Sequence, residues 1–110
     1  MLPAPEESNT RHGRLLYTVL VDLDAVTASR YDIVAALHRQ RIGTGVHYRG
    51  VHRHSYFRER FALRPGDYPV ADRISDQTLS LPLGPALSDE DVSDVISALR
   101  RTLDYFRRPR

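Results

Sequence analysis

Dense apolar runs mark the predicted strands of this chain. Residues 15–23 (LLYTVLVDL) are rich in apolar and β-branched side chains, which predicts a strand at the centre of a sheet. The run LSLPL at 79–83 is also predicted to be extended, because Pro82 cannot lie inside a helix. A third, short strand is predicted for GTGVHY at 43–48, which the chain enters through glycines.

Apolar residues at helical spacing predict the first helix over residues 30–40. Ser29 and Asp32 have the spacing of a capping box, with Asp in place of the usual Glu or Gln. Gly43 follows the pattern and is predicted to end the helix. The apolar residues of this helix are Tyr31, Ile33, Val34 and Leu37.

Three further helices are predicted downstream. Residues 52–61 (HRHSYFRERF) predict a short one, and residues 70–79 another, whose inward positions are Val70, Ile74 and Leu79. The last helix begins after Ser88, and three acidic residues occupy its first turn, as the helix dipole favours. Its predicted core-facing stripe consists of Val92, Val95, Ile96, Leu99, Leu103 and Phe106.

The predicted order is strand, helix, strand, helix, helix, strand, helix. This order indicates an α/β (α+β) fold, a small sheet of about three strands with helices packed on it. Residues 1–11 are predicted to be a tail or linker, residues 12–106 a single domain, and residues 107–110 a basic tail.

Composition narrows the possible settings. The sequence contains no apolar run long enough for a membrane span, and its start lacks the apolar region of a secretory signal. It contains no cysteine, so disulfides are excluded, which is compatible with the cytoplasmic location that we expect. The sequence contains 16 arginines and no lysine.

The net charge is only +2, but the arginines are unevenly distributed. Seven of them lie between positions 39 and 64, where Glu59 is the single acidic residue. Guanidinium groups bind phosphates in a bidentate geometry, so the segment is a candidate phosphate surface. A solvated basic face explains the same pattern.

Three histidines and four aromatic residues share this basic segment and leave three interpretations open. A metal site is disfavoured, because His52 and His54 would point about 200° apart on a helix and in opposite directions on a strand. A nucleic-acid surface has arginines and aromatics in its favour but no signature motif. The third interpretation is one wall of a small-molecule site, following a glycine-flanked strand.

The motifs in their order resemble those of a known family. GVHY at 45–48, VHRHSYFRERF at 51–61 and the run RPGDYPVADRISDQTLSLPLGPALSDEDVSDVISALRRTL at 64–103 resemble the C-terminal small domain of the DegT/DnrJ/StrS-type sugar-nucleotide aminotransferases. These enzymes depend on pyridoxal phosphate (PLP). The resemblance covers about residues 12–104 and is closest to the enzymes that aminate UDP-4-keto-pentoses.

The resemblance implies a fold-type I enzyme in which this small domain forms part of the substrate wall. His47, Tyr48 and His52 match the family motif and are expected to contact the nucleotide sugar. Arg49 is expected to approach its phosphates. No catalytic, cofactor-binding or metal-binding residue is expected in this chain.

The absence of lysine limits what the chain does alone. PLP-dependent transamination needs a lysine amine, and this sequence has none. We therefore expect a detached small domain that is inactive alone, binds no PLP alone, and works with a large PLP-binding domain on another chain. A non-catalytic binding or self-associating module, including a homodimer, is the alternative; no nucleic-acid or membrane partner is expected.

Overall fold

The computed structural model describes residues 5–109. The elements follow the predicted order, and the α/β class is confirmed, although the third predicted strand is reduced to a single bridge. In chain order they are β1 (Tyr17–Leu20), α1 (Arg30–Arg39), a 3-10 turn (Val51–Arg53), α2 (Ser55–Phe61), α3 (Pro69–Gln77), β2 (Thr78–Leu81) and α4 (Asp89–Tyr105).

The sheet pairs β1 with β2 in an antiparallel arrangement that sets Thr18 opposite Ser80. On the other side of β2, Gly45 and Ser80 exchange backbone hydrogen bonds of 3.0 and 2.8 Å. The chain leaves the ladder after Gly45, and the ring of His47 folds back over that glycine. The central position therefore belongs to β2, and the prediction that residues 15–23 form the central strand was wrong.

The core lies between the sheet, α1 and α4. Ile33, Leu37 and Leu79 are fully buried, and Ala98 faces them from α4. A polar contact also joins the two helices, since Nε2 of Gln40 donates to Oγ1 of the buried Thr102 over 2.8 Å. This core packs against β2, and β2 bonds to the start of the loop at Gly45.

Both predicted capping boxes are present. Ser29 and Asp32 bond reciprocally at the start of α1, as Ser88 and Asp91 do at the start of α4. The prediction that Gly43 ends α1 was wrong. The helix ends at Arg39, and the residue in the left-handed region is Arg41, with φ of 62°.

Tyr31 of the predicted α1 stripe is exposed, whereas Ile33 and Leu37 are buried. The apolar faces predicted for α3 and α4 are also less buried than expected. Val70 and Ile74 of α3 are exposed, and Leu79 belongs to β2, because α3 turns the small side chain of Ser75 inward. On α4, Ala98 and Thr102 occupy the buried line, which leaves Val92 and Ile96 about half exposed at its edge.

The described segments before β1 and after α4 differ in how they are attached. Residues 5–16 are exposed and form no helix or strand. After α4, Arg107 forms a bridge with Val26, and the amide of Arg108 donates to the carbonyl of Ala25 over 3.0 Å. The predicted domain boundaries stay a prediction, and part of the predicted tails lies outside the described residues. Among residues 5–109, none of the helices combines the length and apolar character that a membrane crossing requires.

Candidate functional site: a loop with two anchored histidines

The loop after the Gly45 bridge contains the triplet Gly-Val-His twice, at 45–47 and 50–52. In each triplet the imidazole folds back over its own glycine. A Cβ atom on Gly45 would lie 2.6 Å from Cε1 of His47, and one on Gly50 would lie 2.5 Å from Cε1 of His52. These distances are too short for any side chain, so glycine is what permits both ring positions.

His47 is held by a chain of hydrogen bonds that starts in the sheet. Its Nδ1 lies 2.8 Å from Oγ of Ser80, which lies 3.0 Å from Oγ1 of Thr18. Ser80 is only 4% exposed, so this contact is sheltered from water. The Nε2 atom of His47 makes no hydrogen bond to the described residues and remains available to a ligand.

Tyr48 and Arg49 point away from the core. The Tyr48 ring is 73% exposed and meets the His47 ring edge-on, with centroids 4.8 Å apart. The peptide bond between His47 and Tyr48 is cis. Together these two rings present an aromatic edge and a phenol to solvent.

His52 is anchored to α3 through Asp72. Nε2 of His52 lies 2.8 Å from Oδ1 of Asp72, and the His52 side chain is only 10% exposed. Nε of Arg53 donates to the same oxygen over 2.5 Å, and the amide of Gly66 donates to Oδ2 over 3.3 Å. These bonds, the one from His52 first, lower the pKa of Asp72 to about 2, so the carboxylate stays ionised.

Two further contacts attach the same loop to α3. The guanidinium of Arg53 bridges to Asp76, with NH2 donating to Oδ2 over 2.9 Å, and both carboxylates raise the pKa of Arg53. The amide of Gly50 donates to Oγ of the buried Ser75 over 2.9 Å. The loop is therefore bonded to β2 at one end and to α3 at the other.

A cavity of about 380 Å³ opens beside this attachment. Of the four predicted site residues, Arg49 and His52 lie on its wall, whereas His47 and Tyr48 do not. The structure thus divides the predicted site into two pairs. Arg49 and His52 line the cavity, whereas His47 and Tyr48 lie beside the sheet. The cavity is lined by Arg49, His52, Arg53, Arg58, Arg64, Pro65 and Asp72.

Sequence reasoning missed the residues that hold the loop. Ser80 and Asp72 bind His47 and His52, and Ser75 and Asp76 bind the amide of Gly50 and the guanidinium of Arg53. These residues are distant in sequence from the groups that they bind, so no local motif reveals them. The repeated Gly-Val-His triplet is the signal that was available, since a glycine two residues before each histidine indicates a ring that needs space.

The histidines do not converge on a metal. His47 is bonded to Ser80 and His52 to Asp72, and His54 is exposed. Within residues 5–109, no three His, Cys, Asp or Glu side chains are arranged to hold a metal ion.

Similarity to known proteins shows the family of this chain. The profile of the DegT/DnrJ/EryC1/StrS aminotransferase family matches residues 1–100, and the chain belongs to that family. It is 42% identical over 91 residues to the spore coat polysaccharide biosynthesis protein SpsC of Bacillus subtilis, covering 82% of this chain and 23% of SpsC.

Two solved structures share the fold. The aminotransferase TlmJ of Streptoalloteichus hindustanus superposes with a TM-score of 0.78 at 28% identity, over 96% of this chain and 26% of TlmJ. A putative sugar aminotransferase of Streptococcus pneumoniae gives 0.70 at 26% identity, over 82% of this chain and 22% of its own. The chain thus spans about a quarter of the length of these relatives.

The residues of this chain do not fit PLP, the cofactor of the family, by themselves. The cofactor's chemistry depends on a lysine amine, and none of the 110 residues is lysine. What the chain offers is a pair of oriented imidazoles, an exposed phenol and an arginine-lined cavity. Such groups bind and orient a polar substrate but contain no activated nucleophile.

Proposed function

We propose that this chain is the small domain of a sugar-nucleotide aminotransferase and forms part of its substrate wall. In this proposal the PLP-binding large domain, with its lysine, is supplied from outside these 110 residues. The complete assembly would transfer an amino group from glutamate to a 4-keto sugar carried on a nucleotide. The proposal depends on how the chain aligns with its relatives. Nearly the whole chain matches about one quarter of the length of each relative, and two of these relatives are described as aminotransferases.

The sugar is assigned to the solvent-facing pair. Nε2 of His47 is unbonded within the described residues, and the Tyr48 phenol is exposed beside it, so both offer hydrogen bonds to hydroxyl or carbonyl oxygens. Ser80 and Thr18 fix the imidazole from behind, which limits the orientational freedom lost on binding. His52 and Arg49 belong to the neighbouring cavity, where Arg49 approaches the phosphates.

A chimera tests the proposal directly. The matching quarter of TlmJ is replaced by this chain, and glutamate-dependent release of 2-oxoglutarate is measured with an amino acceptor on which parental TlmJ is active. The chimera should turn over, and the isolated chain should not. His47→Asn in the chimera should reduce kcat/KM by about tenfold or more, the effect of losing one oriented hydrogen bond to a polar substrate.

His54→Asn is the matched control, because His54 is exposed and makes no side-chain hydrogen bond to the described residues. Its chimera should keep the parental kcat/KM. An inactive but folded chimera, or equal losses for the two substitutions, would contradict the proposed role. Turnover by the isolated chain would contradict the requirement for a large domain.

A non-catalytic self-associating module is the second candidate, and an apolar groove favours it. Tyr17 of β1, Leu83 and Leu87 after β2, and Val92 and Ile96 of α4 are all at least one-third exposed around a cavity of about 330 Å³. Exposed apolar patches of this kind bury themselves against partners. Sedimentation of the wild-type chain and of Ile96→Asp distinguishes the candidates: a dimer that the substitution dissociates supports self-association, and a wild-type monomer rejects it.

A further inference from the structure

Arg30, the first residue of α1, is a buried cation without an ionic partner. It is only 6% exposed, and it forms no ion pair with a carboxylate of residues 5–109. Its Nη1 atom donates instead to two backbone carbonyls, that of Ser75 over 3.1 Å and that of Thr78 over 3.3 Å. The buried Nε of Arg30 has no partner among the described residues. Burial of a charge is costly unless polar groups compensate it, and here the two carbonyls do so.

The two carbonyls lie on either side of the junction between α3 and β2. Ser75 is in the last turn of α3, which ends at Gln77, and Thr78 is the first residue of β2. The last carbonyls of a helix have no partner within the helix, and the helix dipole favours a cation beside them. Arg30 therefore bonds the end of the helix to the beginning of the strand, which follows without a loop.

The residues that bind the two histidines lie on these same two elements. Asp72, which binds His52, is on α3, and Ser80, which binds His47, is on β2. The direction of α3 relative to β2 therefore determines how the two imidazoles are placed relative to each other.

Ser75 connects the Arg30 contact to the loop itself. Its carbonyl accepts from Arg30, and its Oγ accepts from the amide of Gly50 over 2.9 Å. The residue is only 3% exposed, so both bonds are sheltered from water. A displacement of Ser75 would reach the loop at Gly50, two residues before His52.

We propose that Arg30 is a positioning residue that fixes the junction of α3 and β2, and thereby the placement of His47 relative to His52. Arg30 makes no hydrogen bond to either histidine within the described chain and acts through the backbone of the two elements. The proposal rests on the proposed function only for its effect on turnover, because the placement of the two rings involves this chain alone.

Nitrogen-15 spectra of the histidine imidazoles in the intact chain test the proposal. Arg30→Met removes the donors but keeps a long side chain, so it should shift the resonances of both His47 and His52. Arg30→Lys should leave both close to their wild-type positions, because a lysine ammonium donates several hydrogen bonds from a single nitrogen, as Nη1 does here. Unchanged resonances in Arg30→Met, or shifts in Arg30→Lys as large as those in Arg30→Met, would overturn the proposal.

Leu103→Ala separates a positioning role from a general loss of stability. Leu103 packs against the core from α4, so its truncation destabilises the fold without removing a bond at the junction. All samples contain trimethylamine N-oxide, which favours folded states, and circular dichroism checks that each variant is folded. Leu103→Ala should keep both histidine resonances at their wild-type positions. Shifts as large as those of Arg30→Met, or an Arg30→Met chain that stays unfolded, would assign Arg30 to stability alone and overturn the proposal.

Turnover by the TlmJ chimera distinguishes this proposal from the proposed function. Arg30→Met in the chimera should reduce kcat/KM by about threefold or more, because groups that orient a substrate are misplaced. Leu103→Ala should keep the kcat/KM of the unmodified chimera, and equal losses for the two variants would overturn the positioning role. An inactive chimera whose histidine resonances depend on Arg30 contradicts only the proposed aminotransferase role. An active chimera whose histidine resonances ignore Arg30→Met contradicts only the role of Arg30.

Discussion

Nε2 of His52 and Oδ1 of Asp72 lie 2.8 Å apart, and this pair attaches the histidine loop to α3. The same carboxylate accepts from Arg53 and from the amide of Gly66, which lie on opposite sides of α2 in the sequence. One aspartate thus orders both ends of the segment that surrounds the arginine cavity. Its ionisation should therefore be visible in the stability of the protein.

Asp72→Asn should flatten the acid side of the stability profile. The pKa of Asp72 is lowered from 3.8 to about 2, first by the bond from His52 and then by Arg53. A depressed folded-state pKa means that the stabilisation is complete above about pH 4 and is lost as the pH falls from about 4 to about 2. Urea unfolding followed by circular dichroism across this window should show a smaller decline for the variant than for the wild-type chain.

Asp94→Asn is the control for this experiment. Asp94 lies exposed on α4 and makes no side-chain hydrogen bond to the described residues. It should reproduce the wild-type decline, which also includes the lowered pKa values of Asp32, Asp76 and Asp91. Parallel profiles for wild type and Asp72→Asn would mean that Asp72 is not held by these bonds.

Ser88→Ala should destabilise the chain by about 1 kcal/mol through the start of α4. The Ser88 side chain accepts from the amide of Asp91, whose carboxylate bonds back to the backbone of Ser88. Removing the hydroxyl leaves one helix donor without its partner. Ser97→Ala, an exposed change inside the same helix, should be neutral or slightly stabilising because alanine favours helices. Equal urea midpoints for Ser88→Ala and Ser97→Ala would mean that the Ser88 cap does not stabilise α4.

Leu37→Ala should cost about 2–5 kcal/mol, because it opens a cavity in the centre of the core. Leu37 is fully buried on α1, between the sheet and α4. Leu83→Ala removes the same atoms from a residue that is 48% exposed, and should cost clearly less. The free energies of unfolding of the two variants are measured by urea titration. Similar losses of stability for both would mean that Leu37 is not at the centre of the core.

The elements of this fold were predictable from local patterns, because local chemistry decides them. The two serine capping boxes and the inward positions Ile33 and Leu37 of α1 each depend on neighbouring residues, and the structure contains them. The predicted extension is confirmed as far as Leu81, where β2 ends. The central strand was not predictable in the same way. The run at 15–23 is the more apolar one, yet Ser80 and Thr78 of β2 occupy the buried middle because they bond to both neighbours and to α1.

The candidate site was predictable only in part for the same reason. His47, Tyr48, Arg49 and His52 share one segment, so a motif could point to them. Their division into two groups depends on contacts with Ser80 and Asp72, which are 33 and 20 residues away from the histidines that they bind. Nothing in a local pattern records such distances.

Gly45→Ala should release His47 from Ser80. The new Cβ would lie 2.6 Å from Cε1 and 3.2 Å from Nδ1 of the His47 ring, so the imidazole has to swing away and its bond to Oγ of Ser80 is lost. We expect a loss of about 1 kcal/mol in the free energy of unfolding, the contribution of one such hydrogen bond. Nitrogen-15 spectra of the imidazole should show a changed Nδ1 resonance in the variant, because Nδ1 loses its hydrogen-bond partner.

Gly43→Ala provides the control in the same loop, because a Cβ there meets nothing within 4 Å and its φ is not in the left-handed region. It should leave the His47 resonances unchanged and stabilise the chain slightly by restricting the unfolded state. The comparison separates the loss of a close approach from the general loss of glycine flexibility. If Gly45→Ala keeps the wild-type His47 spectrum, the glycine does not set the position of that ring, and the orientation of the proposed sugar contact must come from Ser80 alone.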